Sequence, residues 1–341
     1  MGAEPVRVGF LGAGLIATFH SKMLRRSGAD ASWAGVWDPD AERCRRFAAA
    51  SGANACASED EVLDGCDAVF ICTWTSEHER LVRAAVERGL GVFCEKPLGV
   101  DLTAAQAMAD AVARADVVHQ VGLVLRYSPA FGLLRDLVAD EAAGRVMSVV
   151  FRDDQYIPVQ GMYASSWRGD RARAGSGTLL EHSIHDLDII EHAVGRVASV
   201  SARSANFHGL EGIEDSVATA LGFADGGVGT MASVWHDVLE RPSLRRVEVF
   251  CERLYVVLTG DWWGPVAWTR LGGEEREVAG DALVAEVRRR GLPDRNPDGA
   301  FIEAVQRGGP AWPGFADALR AHVLVDAIYG SAAQGGVPIA V

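Results

Sequence analysis

No cysteine pair in this chain has C-x-x-C spacing, no apolar run approaches the ~18 residues of a membrane span, and no basic leader precedes the first apolar run at residue 6. The first absence sets aside a dithiol redox site or zinc ribbon. The other two set aside a membrane or export address, so a cytoplasmic protein is expected. Positive charge is also scarce: 33 Lys and Arg stand against 46 Asp and Glu, a net charge of −13. Such a molecule repels phosphate backbones and anionic lipid, so neither nucleic acid nor membrane is expected as a partner. Cys44, Cys56, Cys66, Cys72, Cys94 and Cys251 read as reduced core residues. No internal repeat or low-complexity segment is visible.

What is present suits a globular enzyme. The 341 residues are 49% hydrophobic and 23% charged, enough for two domains with buried cores. Up to about residue 123, short β-branched runs alternate with helical stretches. The strands are read at Val6–Leu11, Ser32–Trp37, Ala68–Thr73, Gly91–Cys94 and Val117–Val124. That rhythm predicts a doubly wound, parallel Rossmann sheet over residues 1–123. From residue 124 to 341 strand follows strand: Val146–Tyr156, Val197–Asn206, Val217–Phe223, Gly229–Val238, Leu244–Cys251 and Arg253–Leu258, the last five read as a meander. A second, α+β domain with a large, mostly antiparallel open sheet is expected, with helices at Pro129–Ala139 and Leu180–Val194 and a C-terminal helix at Asp317–Gly330 packing back on one of the domains.

Gly12-Ala13-Gly14-Leu15-Ile16-Ala17 follows the first strand and opens a helix. Strand, turn and helix in register give this G-x-G-x-x-A its value: Gly12 permits the turn, Gly14 admits a pyrophosphate to the helix N-terminus, and Ala17 allows close packing. Gly12, Gly14, Leu15 and Ile16 are therefore candidate dinucleotide contacts. Asp38 ends the second strand, where a carboxylate accepts from an adenosine ribose and repels a 2′-phosphate. That favours NAD; Arg43 and Arg45 downstream keep NADP as the alternative.

Several spaced motifs together resemble the Gfo/Idh/MocA oxidoreductases, the family of glucose-fructose oxidoreductase and inositol 2-dehydrogenase. They are the glycine loop with His20 behind it, Thr73-Trp74-Thr75-Ser76-Glu77-His78, Cys94-Glu95-Lys96-Pro97-Leu98, Arg126-Tyr127-Ser128-Pro129, Trp167-Arg168, Gly175-Ser176-Gly177 and Glu181-His182-Ser183-Ile184-His185-Asp186-Leu187-Asp188. The resemblance covers nearly the whole chain. It implies an NAD(P)-dependent oxidoreductase moving a hydride between nicotinamide and a hydroxyl-bearing carbon of a sugar, cyclitol or related polyol. It further implies cofactor contacts from Thr73, Trp74, His78, Glu95 and Lys96. Where the family usually has Thr-Pro-Asn this chain has Thr73-Trp74-Thr75, so the contacts at Trp74 depart from the pattern.

The chemistry needs a group to take the hydroxyl proton. Lys96 follows a strand end at the expected cofactor crevice, where a positive nicotinamide would lower its pKa. Glu181, His185 and Asp188 lie at i, i+4 and i+7 of the predicted helix and would share one face, the acids flanking the imidazole. Relatives carry Asp-x-x-x-His at these positions, which implies catalytic roles for Glu181 and His185. His185 is the preferred proton acceptor and Lys96 polarises the substrate oxygen, with the reverse assignment open. Arg126, Tyr156, Trp167, Arg168 and His236, beside Lys96 and His185, are candidate substrate contacts, because aromatics stack on sugar faces and guanidinium groups bind oxygen-rich ligands. Tyr127 belongs with them. The spacing around His182 and His185 lacks H-E-x-x-H, so no metal is expected.

Two other functions share the motifs. One is a glycosidase or lyase that retains NAD and oxidises its substrate transiently; the other is a sugar-sensing regulator without turnover. The chain is expected to form a homodimer or homotetramer, since an open sheet otherwise leaves one face to water.

Overall fold

The computed structural model describes residues 4–341. They divide into two compact units, one running to Leu123 and taking in Arg295–Leu319, the other made of Val124–Asp294 and Arg320–Val341. The expectation of one uninterrupted second domain to residue 341 is corrected, because residues 295–319 belong with the first unit.

The first unit alternates β1 (Val6–Leu11), α1 (Leu15–Ser27), β2 (Ala31–Trp37), α2 (Ala41–Ser51), β3 (Asn54–Ala55), α3 (Glu59–Asp64), β4 (Ala68–Ile71), α4 (His78–Glu87), β5 (Gly91–Cys94), α5 (Leu102–Ala115) and β6 (His119–Val121). The strand order is β3-β2-β1-β4-β5-β6, and every pairing is parallel. Every residue of β4 and β5 is buried, as continuous apolar strands covered on both faces must be. Side-chain caps set the helix starts: Asp40 accepts from the N–H groups of Glu42 and Arg43 at α2, and Asp101 from Ala104 at α5.

The second unit holds α6 (Pro129–Ala139), β7 (Val146–Tyr156), α7 (Arg171–Ala174), α8 (Thr178–Glu181), α9 (Ile184–Ala193), β8 (Val197–Ala205), β9 (Ser216–Phe223), β10 (Val228–His236), β11 (Leu244–Cys251), β12 (Leu254–Thr259), β13 (Val266–Arg270), β14 (Arg276–Val278) and α10 (Gly280–Arg289). Then α11 (Pro297–Arg307) belongs to the first unit, the division falls within α12 (Phe315–Ala333), and β15 (Ile339–Ala340) closes the second sheet. That sheet runs β14-β13-β12-β11-β7-β10-β9-β8-β15. The predicted meander is interrupted: β7 inserts between β10 and β11, parallel to the first and antiparallel to the second. One face carries Val149, Phe151, Val217, Met231, Val247 and Val256 into a core shared with α6, α9 and α12.

The predicted helix Leu180–Val194 is two helices, α8 and α9, broken at His182 and Ser183. Buried hydroxyls account for the break: the Thr178 and Ser183 hydroxyls meet Ser233 Oγ of β10 at 2.8 and 2.6 Å, which draws Ser183 out of helical register. Among the described residues no helix is long and apolar enough to cross a membrane.

Candidate active site

The carboxyl ends of β1, β4 and β5 carry the glycine loop, Thr73-Trp74 and Glu95-Lys96, side by side in one sheet. Gly12 sits at φ +89°, and a Cβ there would lie 2.5 Å from the carbonyl oxygen of Cys72, so the loop rests directly on the end of β4. Gly14 opposes nothing within 4 Å and caps α1 without a side chain. The first turn of α1 carries no acidic residue, which leaves its N–H groups and positive dipole end for an anion. Beside it lies a cleft of 370 Å³ lined by Ala13, Gly14, Leu15, Thr18, Arg43, Arg46, Phe47 and Ala50. These residues fit a dinucleotide: a cradle open at Gly14, a helix start for the pyrophosphate and two arginines along the wall. Leu15, part of that lining, and Ile16 next to it in the helix are exposed.

Asp38 is buried and does two jobs at once. Its Oδ2 accepts from the Ala13 N–H at 2.8 Å, which shapes the glycine loop, and its Oδ1 accepts from the Asp40 N–H at 2.8 Å. Arg43 stands 3.6 Å from Oδ1. Of the two arginines weighed for a 2′-phosphate, Arg43 lines the cleft, whereas Arg45 pairs with Glu42 on the surface. Arg46 takes its place, a residue that spacing from Asp38 did not single out.

Two of the candidate cofactor contacts, Glu95 and His78, make hydrogen bonds within the unit. Glu95 Oε1 accepts from His20 Nε2 at 2.8 Å, its Oε2 takes the Lys96 N–H at 3.2 Å, and Gly122 presses on it so closely that a Cβ would meet Oε1 at 2.2 Å. His78 is buried, and its Nδ1 donates to the carbonyls of Pro97 and Leu98 at 3.0 and 3.2 Å. Both residues hold the loop that carries Lys96 and do not line the cleft. Lys96 itself is half-buried, as are Thr73 and Trp74, and Trp74 opens the short turn that leads into α4.

In the second unit the three residues expected on one helix face are separated by the break. Glu181 ends α8, buried, with Oε2 3.1 Å from Arg168 Nε; Asp188 lies in α9 and forms a bidentate pair with Arg126, at 2.6 to 3.1 Å. Each acid is thus engaged by an arginine, and the helix break puts Glu181 on α8 while His185 and Asp188 stay together on α9. His185 is half-buried in the first turn of α9. Arg126, a candidate substrate contact, pairs its Nε and Nη2 with Asp188. Arg168 stacks over Trp167 at 4.3 Å, so Trp167, Arg168 and Glu181 form one chain of contacts. Tyr156 is buried beneath Gly161. His236 ends β10 with Nε2 3.7 Å from Asp154.

Two residues absent from the sequence-based set, Glu214 and Arg245, order this region. Glu214 accepts from the N–H groups of Gly177 and Leu179, from Ser176 Oγ and from the Tyr329 hydroxyl, all at 2.8 to 2.9 Å, and so clamps the start of α8. Arg245 reaches Asp186 at 2.6 Å and Asp153 at 3.0 Å. A buried Asp153-Asp154-Gln155 run at the end of β7 was the available signal, since three polar residues in succession break the alternation of a strand.

Comparison with known proteins fits this geometry. The model of the oxidoreductase family with an NAD-binding Rossmann fold matches residues 6–123, and that of the Gfo/Idh/MocA C-terminal domain matches residues 131–257. The chain belongs to the Gfo/Idh/MocA family. Residues 6–123 of its first unit match the NAD-binding Rossmann domain of that family. Inositol 2-dehydrogenase 4 of Saccharopolyspora erythraea is 37% identical over 151 residues, 42% of this chain and 44% of that one. The chain thus matches less than half the length of that relative. The scyllo-inositol 2-dehydrogenase (NAD(+)) of Bacillus subtilis is 32% identical over 66% of each chain. A solved levoglucosan dehydrogenase in complex with NADH superposes with a TM-score of 0.84 over 99% of both chains at 24% identity, a likeness of fold.

Proposed function

We propose that the chain is an NAD-dependent dehydrogenase that oxidises a secondary hydroxyl of a cyclitol, sugar or related polyol. The observation that carries this reading is the placement of Lys96 at the carboxyl end of β5, on the same sheet edge as the Gly12-to-Gly14 cradle. The relatives named for inositol and levoglucosan oxidation support the substrate class. NAD when bound accepts the hydride, and the protein handles the proton. Lys96 polarises the reacting oxygen. His185 takes the hydroxyl proton, with Glu181 and Arg168 fixed beside Trp167 to orient the substrate.

The sheet of the second unit supports a homo-oligomer. Val150, Ala220, Thr230 and Phe250 share its outer face around a shallow hollow of 470 Å³, with Val150 42% and Phe250 41% exposed. A second copy covering that face removes this apolar surface from water. Six free cysteines, five of them buried, support a reducing, cytoplasmic setting.

The test is NADH and NADPH binding by fluorescence, then a panel of inositols, aldoses and anhydrosugars followed by nicotinamide absorbance, with Lys96→Ala and His185→Ala as controls. Turnover that falls at least ~100-fold in both variants while NADH still binds is the expected result. Bond cleavage without net reduction of NAD assigns the chain to the NAD-retaining lyases or glycosidases. Binding of sugar without any turnover makes it a sensor.

A further inference from the structure

We infer that His20 and Asp298 are positioning residues for Lys96, acting through Glu95 as a buried carboxylate–imidazolium–carboxylate relay; this rests on the catalytic reading of Lys96. The geometry is confined to the first unit. His20, on α1, is fully buried: its Nδ1 lies 2.5 Å from Asp298 Oδ1 and its Nε2 2.8 Å from Glu95 Oε1. Asp298, also fully buried, stands in the first turn of α11, brought there by the segment that belongs with this unit. Phe19, Phe70 and Phe93 surround the imidazole with ring centres 4.9 to 5.9 Å away.

A carboxylate only accepts hydrogen bonds, so an imidazole that serves one on each nitrogen must donate from both, which makes it a cation. Burial opposes that charge, but Asp298 and Glu95 outweigh it and raise the His20 pKa to about 10. In return Glu95 is held below the ordinary carboxylate range although burial works against it. The other ionisable groups that act on this cluster are Lys96 and His78 at Glu95, and the thiols of Cys72 and Cys94, which burial and these carboxylates keep protonated.

Packing alone does not call for such a trio, because each buried ion costs several kcal/mol and apolar residues of the same size would fill the space. Its position suggests what it is for. Glu95 is anchored by His20 on one side of Lys96, and Pro97 and Leu98 are anchored by His78 on the other. Lys96 is the one residue between two buried anchors. The relay also keeps Glu95 ionised next to the Lys96 ammonium over the whole working pH range, so that neither the loop nor its field changes as His20 stays charged.

The chain holds two lysines, Lys22 and Lys96, which makes Lys96 observable. Reductive ¹³C-methylation gives one signal for each, with exposed Lys22 as the reference. In the wild type, ¹⁵N spectra are expected to show the His20 ring protonated on both nitrogens through pH 8, and the Lys96 signal to show no inflection from His20. In Asp298→Asn, His20 loses one of its two carboxylates and titrates between about 7 and 9, and the Lys96 signal follows that titration. With the polyol that the wild type oxidises fastest, kcat of Asp298→Asn is expected within about threefold of wild type at pH 6 and lower by about tenfold at pH 9, with the KM for NAD little changed. His20→Gln, which serves one carboxylate at most, is low at both pH values.

A neutral His20 ring in the wild type at pH 8 overturns the relay, and that measurement needs no variant. So does a Lys96 signal in Asp298→Asn that matches wild type at every pH, or a rate loss that is the same at pH 6 and 9. Absence of turnover on every polyol instead refutes the proposed function, while the Lys96 signal still decides whether the relay acts on that lysine.

Discussion

Arg245 Nε lies 2.6 Å from Asp186 Oδ1, both side chains buried, with Asp153 on the same guanidinium at 3.0 Å. One arginine therefore faces two buried carboxyl groups, with His182 Nε2 2.7 Å from Asp153 and the half-exposed Asp261 as its outer partner. Burial, then the charge of Asp153, push Asp186 up to about 7 against the pull of Arg245 and His182, and Asp153 is raised for the same first reason. Asp153 Oδ2 faces His182 and Arg245, whereas Asp153 Oδ1 and Asp186 Oδ2 are buried without such a donor. A proton held on Asp186 and offered to Asp153 joins that pair of oxygens.

Stability should record that proton. Between the ordinary aspartate pKa near 4 and about 7, native Asp186 binds a proton that the unfolded chain has released, so its contribution falls as pH rises through that window and is level above it. Urea unfolding of wild type and Asp186→Asn at pH 4.5, 6 and 8 isolates the effect. The difference is expected to move by a few kcal/mol in favour of the variant between the first and last pH, mostly below pH 7. A difference independent of pH removes the shared proton.

The clamp on α8 makes a second prediction. A Cβ on Gly177 would lie 1.8 Å from the carbonyl oxygen of Glu214, a backbone atom that cannot swing aside. Gly177→Ala must then shift the start of α8 and with it Glu181 and the turn into His185. Turnover is expected to fall by about two orders of magnitude with a lower Tm, while NADH binding to the first unit is kept. Glu214→Gln, which keeps one acceptor oxygen, is expected to fall less. Equal turnover in Gly177→Ala and wild type refutes the clamp.

Cofactor choice supplies the third. Asp38→Asn keeps an acceptor for the Ala13 N–H but removes the charge that repels a 2′-phosphate, and Arg43 and Arg46 already line the cleft. The ratio of NADPH to NADH affinity is expected to rise about tenfold, roughly 1.4 kcal/mol. Fluorescence titration with both nucleotides measures it, and an unchanged ratio means that Asp38 serves the glycine loop alone.

What the sequence determined here is local. Strand, glycine turn and helix in succession specify the βαβ order of the first unit, since that periodicity and the right-handed crossover leave few alternatives. Gly12, Gly14 and Asp38 stand out in the sequence because dinucleotide binding needs particular backbone shapes at fixed spacing. Lys96 stands out by its place after a strand end and by the resemblance of Glu95-Lys96-Pro97. Partners of charged groups were not legible. Glu181 and Asp188 sit seven residues apart and would share a face of one helix, yet hydroxyl contacts from Thr178 and Ser183 to β10 break that helix and leave each acid to a different arginine. His20 meets Asp298 across 278 residues, and nothing in either neighbourhood announces the pairing. Periodicity reports which face of an element is buried; only the folded chain decides which buried charge faces which, because that choice is made by contacts distant in sequence whose energy exists only once water has been excluded.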